Sequence, residues 1–282
     1  MFDIGLSTCG KVINEELFRD YRDNHITHME ISVASDEYKN IDFKNLKKWS
    51  DEFNITLWSY HLPFSPFSSI DISKKSLQKR TLNFYYELIA KASEIGIKNF
   101  VVHPSGEPIL DCFRERRKEN SKESLFRLAE KAKQFESVVL VEDLPRTCLG
   151  RNSAEILELI SVHDALRVCF DTNHLLSESI NDFLDSVGNK IVSTHISDYD
   201  ILNERHWLPG EGVIKWNEVY NKLKDSGYKG PWLYEIGFNA PNSIKRLRNL
   251  KCSDFYNNAN EIFNNKEITV ISEPVKNLTA WK

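Results

Sequence analysis

The chain has 282 residues, of which 41% are hydrophobic and 28% charged, with a formal net charge of −4. This composition is typical of a globular protein with a sizeable core and lacks the basic excess of a nucleic-acid-binding domain. The sequence shows neither a basic segment followed by an apolar run at its start nor an apolar stretch of about 18 residues. We therefore expect no membrane span and no export, and place the protein in the cytoplasm.

Cysteine usage excludes two further classes. The five cysteines form no CxxC pair, which argues against a disulfide framework and against a thiolate zinc site. The longest basic cluster, residues 114–118, is interpreted as the solvated face of a helix.

Short apolar runs alternate with longer segments of helical periodicity along the whole chain. The predicted strands are Phe2–Ser7, His28–Ile31, Thr56–Tyr60, Asn99–His103, Val138–Glu142, Leu166–Asp171, Ile191–His195 and Trp232–Ile236. The predicted helices are Asn14–Asp23, Asp42–Phe53, Lys74–Ile95, Arg114–Gln134, Ser153–Ser161, Ile180–Val187, Trp216–Ser226 and Ser243–Phe263. Gly96 and Gly227 follow two of the helices as C-terminal caps, and Asn152 precedes another as an N-terminal cap.

Eight strands that alternate with helices predict an α/β protein with a parallel sheet closed into a (β/α)₈ TIM barrel. Such a barrel needs roughly 250 residues, so we expect residues 1–282 to form one domain, with 264–282 as a C-terminal tail. A doubly wound open sheet is the rival fold. It normally carries a glycine-rich phosphate loop after the first strand, and the segment Ser7–Gly10 has no GxGxxG pattern.

Ionisable side chains stand at the ends of six of the predicted strands. A single histidine or aspartate at such a place is an ordinary turn or cap residue, but a barrel directs all of its strand ends to one site. A charged group there is costly to bury unless it is paired or bound to a metal. The six residues are His61, His103, Glu142, Asp171, His195 and Glu235.

Three carboxylates and one imidazole within this set favour a divalent metal. Glu142, Asp171, His195 and Glu235 form an oxygen-rich group that suits Mn²⁺, Mg²⁺ or Co²⁺, and Zn²⁺ also accepts such ligands. His174, just after the sixth strand, is positioned to meet a substrate oxygen or a second metal. The constrained loop 204–212 carries Arg205 and His206 and suits anion or hydroxyl recognition, although an ordinary charged surface loop is the alternative.

These segments resemble the xylose-isomerase-like superfamily, which joins sugar isomerases and epimerases with the endonuclease IV type of apurinic-site nuclease. The resemblance spans about residues 1–240, and its short motifs occur in the same order as in the family. They are Tyr60–Phe64, Val102–Pro104, Val141–Asp143, Phe170–His174, Thr194–Asp198, Arg205-His206 before Pro209–Gly212, and Tyr234-Glu235.

Membership in the isomerase and epimerase branch implies one divalent metal on Glu142, Asp171, His195 and Glu235. The resemblance further implies that Glu142 and Glu235 exchange a proton beside the substrate carbonyl through a metal-stabilised enediolate. It makes the substrate a sugar or a sugar phosphate. Side chains expected to contact it are the hydroxyl-binding His174 and Arg205, the apolar Phe64 and Trp207, and His61, His103 and His206.

The nuclease branch uses three zinc ions and a larger ligand set. The additional ligands in this chain would be His61, His103, His174, Glu204 and His206. Glu204 departs from that pattern because the nuclease motif has aspartate there, and the acidic net charge does not favour DNA. We therefore expect a sugar isomerase or epimerase that binds a small molecule and no nucleic acid. An apurinic-DNA phosphodiesterase, an inosose-type dehydratase and a non-catalytic sugar-binding barrel stay as alternatives. By analogy alone, a homo-oligomer is expected.

Overall fold

The computed structural model describes residues 1–64, 69–237 and 244–273. Its strands are β1 (Ile4–Ser7), β2 (His28–Ile31), β3 (Thr56–His61), β4 (Asn99–Val102), β5 (Val138–Glu142), β6 (Leu166–Asp171), β7 (Ile191–His195) and β8 (Trp232–Tyr234). Its α-helices are α1 (Glu15–Asp23), α2 (Phe43–Phe53), α3 (Lys75–Glu94), α4 (Asp111–Lys133), α5 (Ser153–Ile160), α6 (Ile180–Val187), α7 (Trp216–Asp225) and α8 (Cys252–Phe263). Short 3₁₀ turns cover Tyr38–Asn40 and Gly188–Lys190.

The eight strands form one parallel sheet in the order β7-β6-β5-β4-β3-β2-β1-β8. The two outer strands approach each other through a parallel bridge between Ile196 and Tyr234. The Ile196 amide donates to the Leu233 carbonyl at 2.8 Å, so the sheet is nearly closed. The predicted (β/α)₈ barrel is confirmed.

Side-chain alternation along the strands separates the barrel interior from the helix-facing layer. Val101, Leu140 and Cys169 form a small inner cluster of their own, while their strand neighbours join the main core with the helices. His103, Glu142 and Asp171 each stand two positions after one member of the inner cluster. The pleat therefore turns these three polar groups inward at the carboxyl end of the barrel.

Local capping explains several helix boundaries. The Asn14 and Asn152 side chains accept hydrogen bonds from backbone amides in the first turns of α1 and α5, which confirms the predicted cap at Asn152. Gly96, which follows the C-cap Ile95 of α3, has a φ of +97°. This left-handed conformation favours glycine.

Three strand ends differ by one or two residues from the prediction. β3 includes His61, whereas β4 ends at Val102 and β8 at Tyr234. His103 and Glu235 are therefore the first residues beyond their strands, where they still lie at the mouth of the barrel.

The predicted last helix, Ser243–Phe263, is wrong in its first half. Residue 243 lies outside the described residues, and α8 begins only at Cys252. The preceding segment is instead extended, because Arg246 bridges to Ser272 in an antiparallel pair. The Leu247 amide also donates to the Ile271 carbonyl at 2.8 Å. Residues 264–273 of the predicted tail thus fold back onto the barrel, and 274–282 lie outside the described residues.

The basic cluster at 114–118 is a solvated face only in part, because Glu115 and Arg116 are exposed whereas Arg114 and Lys118 are buried. The Arg114 side chain is 9% exposed and its Nη2 lies 2.6 Å from Glu155. Lys118 is 11% exposed and lies 2.8 Å from Glu158. Helical periodicity alone does not reveal that α5 packs against this side of α4 and supplies the acidic partners. These positive charges are neutralised within the chain.

Two expectations from composition concern the whole molecule. All five cysteines are free thiols, as expected. Among the described ranges, no helix combines the length and apolar character needed to cross a bilayer.

Replacing Glu211 with alanine tests how firmly the C-terminal segment is attached. Arg246 Nη2 lies 3.0 Å from Glu211 Oε2, and their side chains are 2% and 0% exposed. Removal of Glu211 leaves the charge of Arg246 buried without this partner. We therefore expect the free energy of unfolding to fall by about 3–5 kcal/mol in urea denaturation. The control is Glu273→Ala, which breaks the exposed pair with Lys245 and should change stability little. Equal losses in both variants would contradict the prediction.

Candidate metal centre

Glu142, Asp171, His195 and Glu235 converge at the carboxyl ends of β5, β6, β7 and β8. One donor atom from each lies within 4.8 Å of all the others. His195 Nδ1 stands 3.0 Å from Glu142 Oε1, 3.4 Å from Glu235 Oε2 and 3.8 Å from Asp171 Oδ2. All but Glu235 are almost fully buried. The structure therefore brings together the four predicted ligands.

This arrangement fits a divalent cation. Asp171 Oδ2 is buried and has no hydrogen-bond partner among the described residues, as expected for an oxygen reserved for a metal. Burial raises the pKa of Asp171 to about 6, with Glu235 reinforcing and His174 and His206 opposing the shift. Three carboxylates so close together repel one another unless positive charge lies between them. The cluster can hold one divalent ion.

A second group adjoins this cluster through Glu142. His61 Nε2 and His103 Nε2 lie 3.1 and 3.0 Å from Glu142 Oε2. Burial opposes charge on His61, but the Glu142 carboxylate raises its pKa to about 9. Burial lowers the pKa of His103, and the adjacent His61 and His174 oppose its protonation. Both imidazoles therefore contact the same oxygen of Glu142. The three side chains could also hold an ion of their own.

His174, Glu204 and His206 form a third group of potential ligands. It differs from the first group because its carboxylate, Glu204, already contacts an arginine side chain. Arg146 Nη1 lies 2.6 Å from Glu204 Oε2, and the same nitrogen donates to Asn203 Oδ1 at 2.9 Å. Arg146 also forms a bidentate pair with Glu107, at 2.6 and 3.2 Å. A metal ion here would compete with the guanidinium.

Arg146 and Glu107 escape sequence reasoning because they lie in loops rather than at strand ends. Arg146 has a φ of +54°, in a region that few residues other than glycine adopt. Its guanidinium connects the loops after β4, β5 and β7. Strained residues held by such contacts cluster at functional sites.

Sequence reasoning also missed Glu30, which stands inside β2 and is fully buried. Its Oε2 lies 3.1 Å from His195 Nε2, on the other side of the ring from the metal cluster. Burial opposes ionisation, yet His195, His61 and Ser59 together hold the pKa of Glu30 below its usual value. The available signal was a carboxylate between Met29 and Ile31 on a short apolar strand.

Asp143 is a further buried residue; it closes the Val141–Asp143 motif, but the sequence predicted no role for it. Its Oδ1 accepts the Asp171 amide at 2.7 Å, and its carbonyl lies 2.8 Å from His174 Nδ1. It thus fixes the backbone of one candidate ligand and the ring of a neighbouring histidine. Burial, with a contribution from Asp171, raises its pKa well above the usual value.

A cavity of about 210 Å³ opens beside the cluster. This volume is below the range of roughly 300–1,000 Å³ typical of drug-sized ligands and suits a small molecule. Phe64, 40% exposed, stacks on His103 with ring centroids 4.0 Å apart. The residues around the cavity include Phe64, His103, Glu107, Arg146, His174 and Glu204.

Trp207 and Arg205 are placed differently from the other predicted contacts. Trp207 is 1% exposed, and its backbone pairs with that of Asp198. Arg205 Nε donates to Asp200 Oδ2 at 2.7 Å, and the guanidinium lies 5.8 Å from the Trp207 ring centroid. These contacts stabilise the loop after β7. Roles in substrate binding stay predictions for both residues, and the burial of Trp207 does not support an apolar wall against a sugar.

The profile of the xylose isomerase-like TIM barrel family matches residues 18–251. The chain belongs to this family.

Individual relatives agree with this assignment. An uncharacterized protein of Methanocaldococcus jannaschii is 27% identical over 201 residues, which cover 68% of this chain and 67% of that protein. Fructoselysine 3-epimerase of Escherichia coli O157:H7 is 30% identical over only 63 residues, or 22% of this chain and 23% of the enzyme. A solved D-tagatose 3-epimerase-like protein superposes with a TM-score of 0.74 at 22% identity, covering 83% and 90% of the two chains. At that identity the likeness concerns the fold.

Replacing Glu142 with glutamine tests the cluster directly. We expect protein purified without added metal to carry about one equivalent of divalent metal per chain by elemental analysis. The loss of an anionic ligand should lower this content at least about tenfold. Glu107→Gln is the matched control, since Glu107 lines the cavity but lies outside the four-residue cluster. Equal metal content in both variants would argue against the assigned ligands.

Proposed function

We propose that the protein is a divalent-metal-dependent sugar isomerase or epimerase. The observation that carries this proposal is the four-residue cluster beside a small cavity at the carboxyl end of the barrel. Cavity size, family membership and the epimerase names among its relatives support a sugar as substrate. The bound ion would polarise the substrate carbonyl oxygen as a Lewis acid.

Residues of the chain itself would bind the sugar and move the proton. His103, His174 and the Arg146–Glu107 pair line the cavity and offer both donors and acceptors, which suit the hydroxyl groups of a sugar. Phe64 supplies an apolar surface next to them. The nearly complete burial of Glu142, Asp171 and His195 excludes water from the inner side of the site, which strengthens electrostatic interactions there.

Glu142 and Glu235 are proposed to exchange the proton on the carbon beside the carbonyl. The two carboxylates approach His195 Nδ1 from different strands, at 3.0 and 3.4 Å. Glu142 Oε2 already contacts both His61 and His103, whereas Glu235 is 13% exposed. Glu235 is therefore the better placed of the two to approach a substrate.

Glu235→Gln should lower kcat by about 10²–10⁴-fold, the usual contribution of a positioned acid or base. The measurement is exchange of the substrate's carbon-bound proton in D₂O, followed by NMR across a panel of ketoses with saturating Mn²⁺. Glu94→Gln, at the exposed end of α3, is the control and should leave exchange unchanged. A wild-type protein that holds metal but exchanges no ketose proton would overturn the proposed activity.

A second candidate, phosphodiester hydrolysis on apurinic DNA, is favoured by the two histidine groups that adjoin the main cluster. The Arg146–Glu204 contact opposes it, because the guanidinium lies 2.6 Å from one oxygen of the carboxylate that a third ion would need. Ion pairs of Arg114, Arg117 and Lys118 on α4 with carboxylates of the chain also reduce the basic surface available for phosphate contacts.

Zinc stoichiometry separates the two candidates. Isothermal titration of metal-free wild-type protein should give about one tight site, because Arg146 repels an ion at Glu204. Arg146→Ala should add a second, weaker site at His174, Glu204 and His206. Arg151→Ala, a nearby arginine outside these contacts, serves as the control and should keep one site. Two or three tight zinc equivalents in the wild type would instead make abasic DNA the first substrate to test.

A further inference from the structure

His195 is held by carboxylates on both of its ring nitrogens. Nδ1 faces the metal cluster, whereas Nε2 lies 3.1 Å from each carboxylate oxygen of Glu30. Both side chains are fully buried. Glu30 therefore contacts the candidate ligand from the side opposite to the proposed ion.

The contact decides which nitrogen of His195 can bind a metal. A neutral imidazole carries one proton, and the nitrogen without it provides the lone pair for coordination. A carboxylate at Nε2 keeps the proton there, which leaves the Nδ1 lone pair directed at Glu142, Asp171 and Glu235. Carboxylates behind ligating histidines serve this purpose in metal sites generally.

We propose that Glu30 is a positioning residue that fixes the tautomer and ring orientation of His195 for metal binding. The inference rests on the proposed metal centre and adds a residue that lies outside the ligand set. Glu30 acts through His195 and does not contact the ion.

The contact between Glu30 and His195 involves an irregularity in strand pairing. β2 and β7 are not neighbours in the sheet. Even across the closure between β7 and β8, strands β8 and β1 lie between them, so Glu30 reaches His195 across the barrel interior. The β2–β3 register shifts between Met29 and Glu30, an irregularity of the kind that redirects side chains. Ser59 Oγ then donates to Glu30 Oε2 at 2.8 Å.

Stability alone does not account for Glu30. Among the described residues, its ion-pair contact is with His195 and not with a lysine or arginine, and Oε1 lacks a well-oriented hydrogen-bond donor. A buried carboxylate without a permanent cation costs folding free energy. Its position behind a candidate ligand gives a functional reason for that cost.

Co²⁺ binding to Glu30→Gln tests the proposal, with affinity measured by chelator competition and the ligand field by visible absorption. Glutamine keeps the size of the side chain but removes the charge and permits the wrong tautomer of His195. We expect Kd for Co²⁺ to rise about 10–100-fold and the absorption bands to change. Glu155→Gln is the control: it removes a carboxylate that is 14% exposed and paired with Arg114, and it should alter thermal stability but neither Kd nor the spectrum.

The outcomes are separable. A folded Glu30→Gln variant with Kd within about twofold of wild type and an unchanged spectrum would overturn the inference. If that variant does not fold, Ser59→Ala decides: a roughly threefold or larger rise in Kd supports the role of Glu30, and an unchanged Kd overturns it. Wild-type protein that binds no Co²⁺ would instead count against the metal centre of the proposed function.

Discussion

Repulsion among buried carboxylates at the mouth of the barrel is the constraint to which the surrounding residues are fitted. Glu30, Glu142 and Asp171 are all almost fully buried, and each would be costly to ionise without positive charge or hydrogen-bond donors nearby. Imidazoles rather than lysines lie next to these carboxylates. His61 and His103 contact Glu142, and His195 lies between the acidic groups. Imidazoles can also give up a proton and act as ligands, so the same arrangement leaves room for a metal ion.

The barrel supplies the direction of these side chains, and the loops supply the surroundings. Strand geometry brings Glu142, Asp171 and His195 together, and Glu235 follows directly after β8. The loops then build the cavity next to it, with Arg146 joining three of them through Glu107, Asn203 and Glu204. A rigid inner site and a loop-built outer site are the usual division of labour in this fold.

The parts that could be predicted from sequence follow from local periodicity and from the geometry of closed barrels. Eight alternating elements specify the fold, and residues that end apolar runs must then converge, which is how Glu142, Asp171 and His195 were found. Glu30 was missed because its role depends on a contact across the interior with a residue 165 positions away. The contacts of Arg146 join three loops that are distant in sequence, so local sequence patterns do not reveal them. The predicted start of the last helix is wrong because Arg246 pairs with Ser272. This tertiary contact overrides the local helical spacing of the sequence.

The folded-back C-terminal segment ties the end of the described chain to the loop that carries Arg205 and His206. A Cβ at Gly210 would lie 2.6 Å from an Ile268 methyl group, so this loop and residues 264–273 pack in close contact. Glu211, from the same loop, also holds Arg246. Shortening the chain to the end of the last helix would therefore disturb a wall of the site some fifty residues upstream. Protein engineers who trim or fuse this end should treat residues 264–273 as part of the barrel mouth.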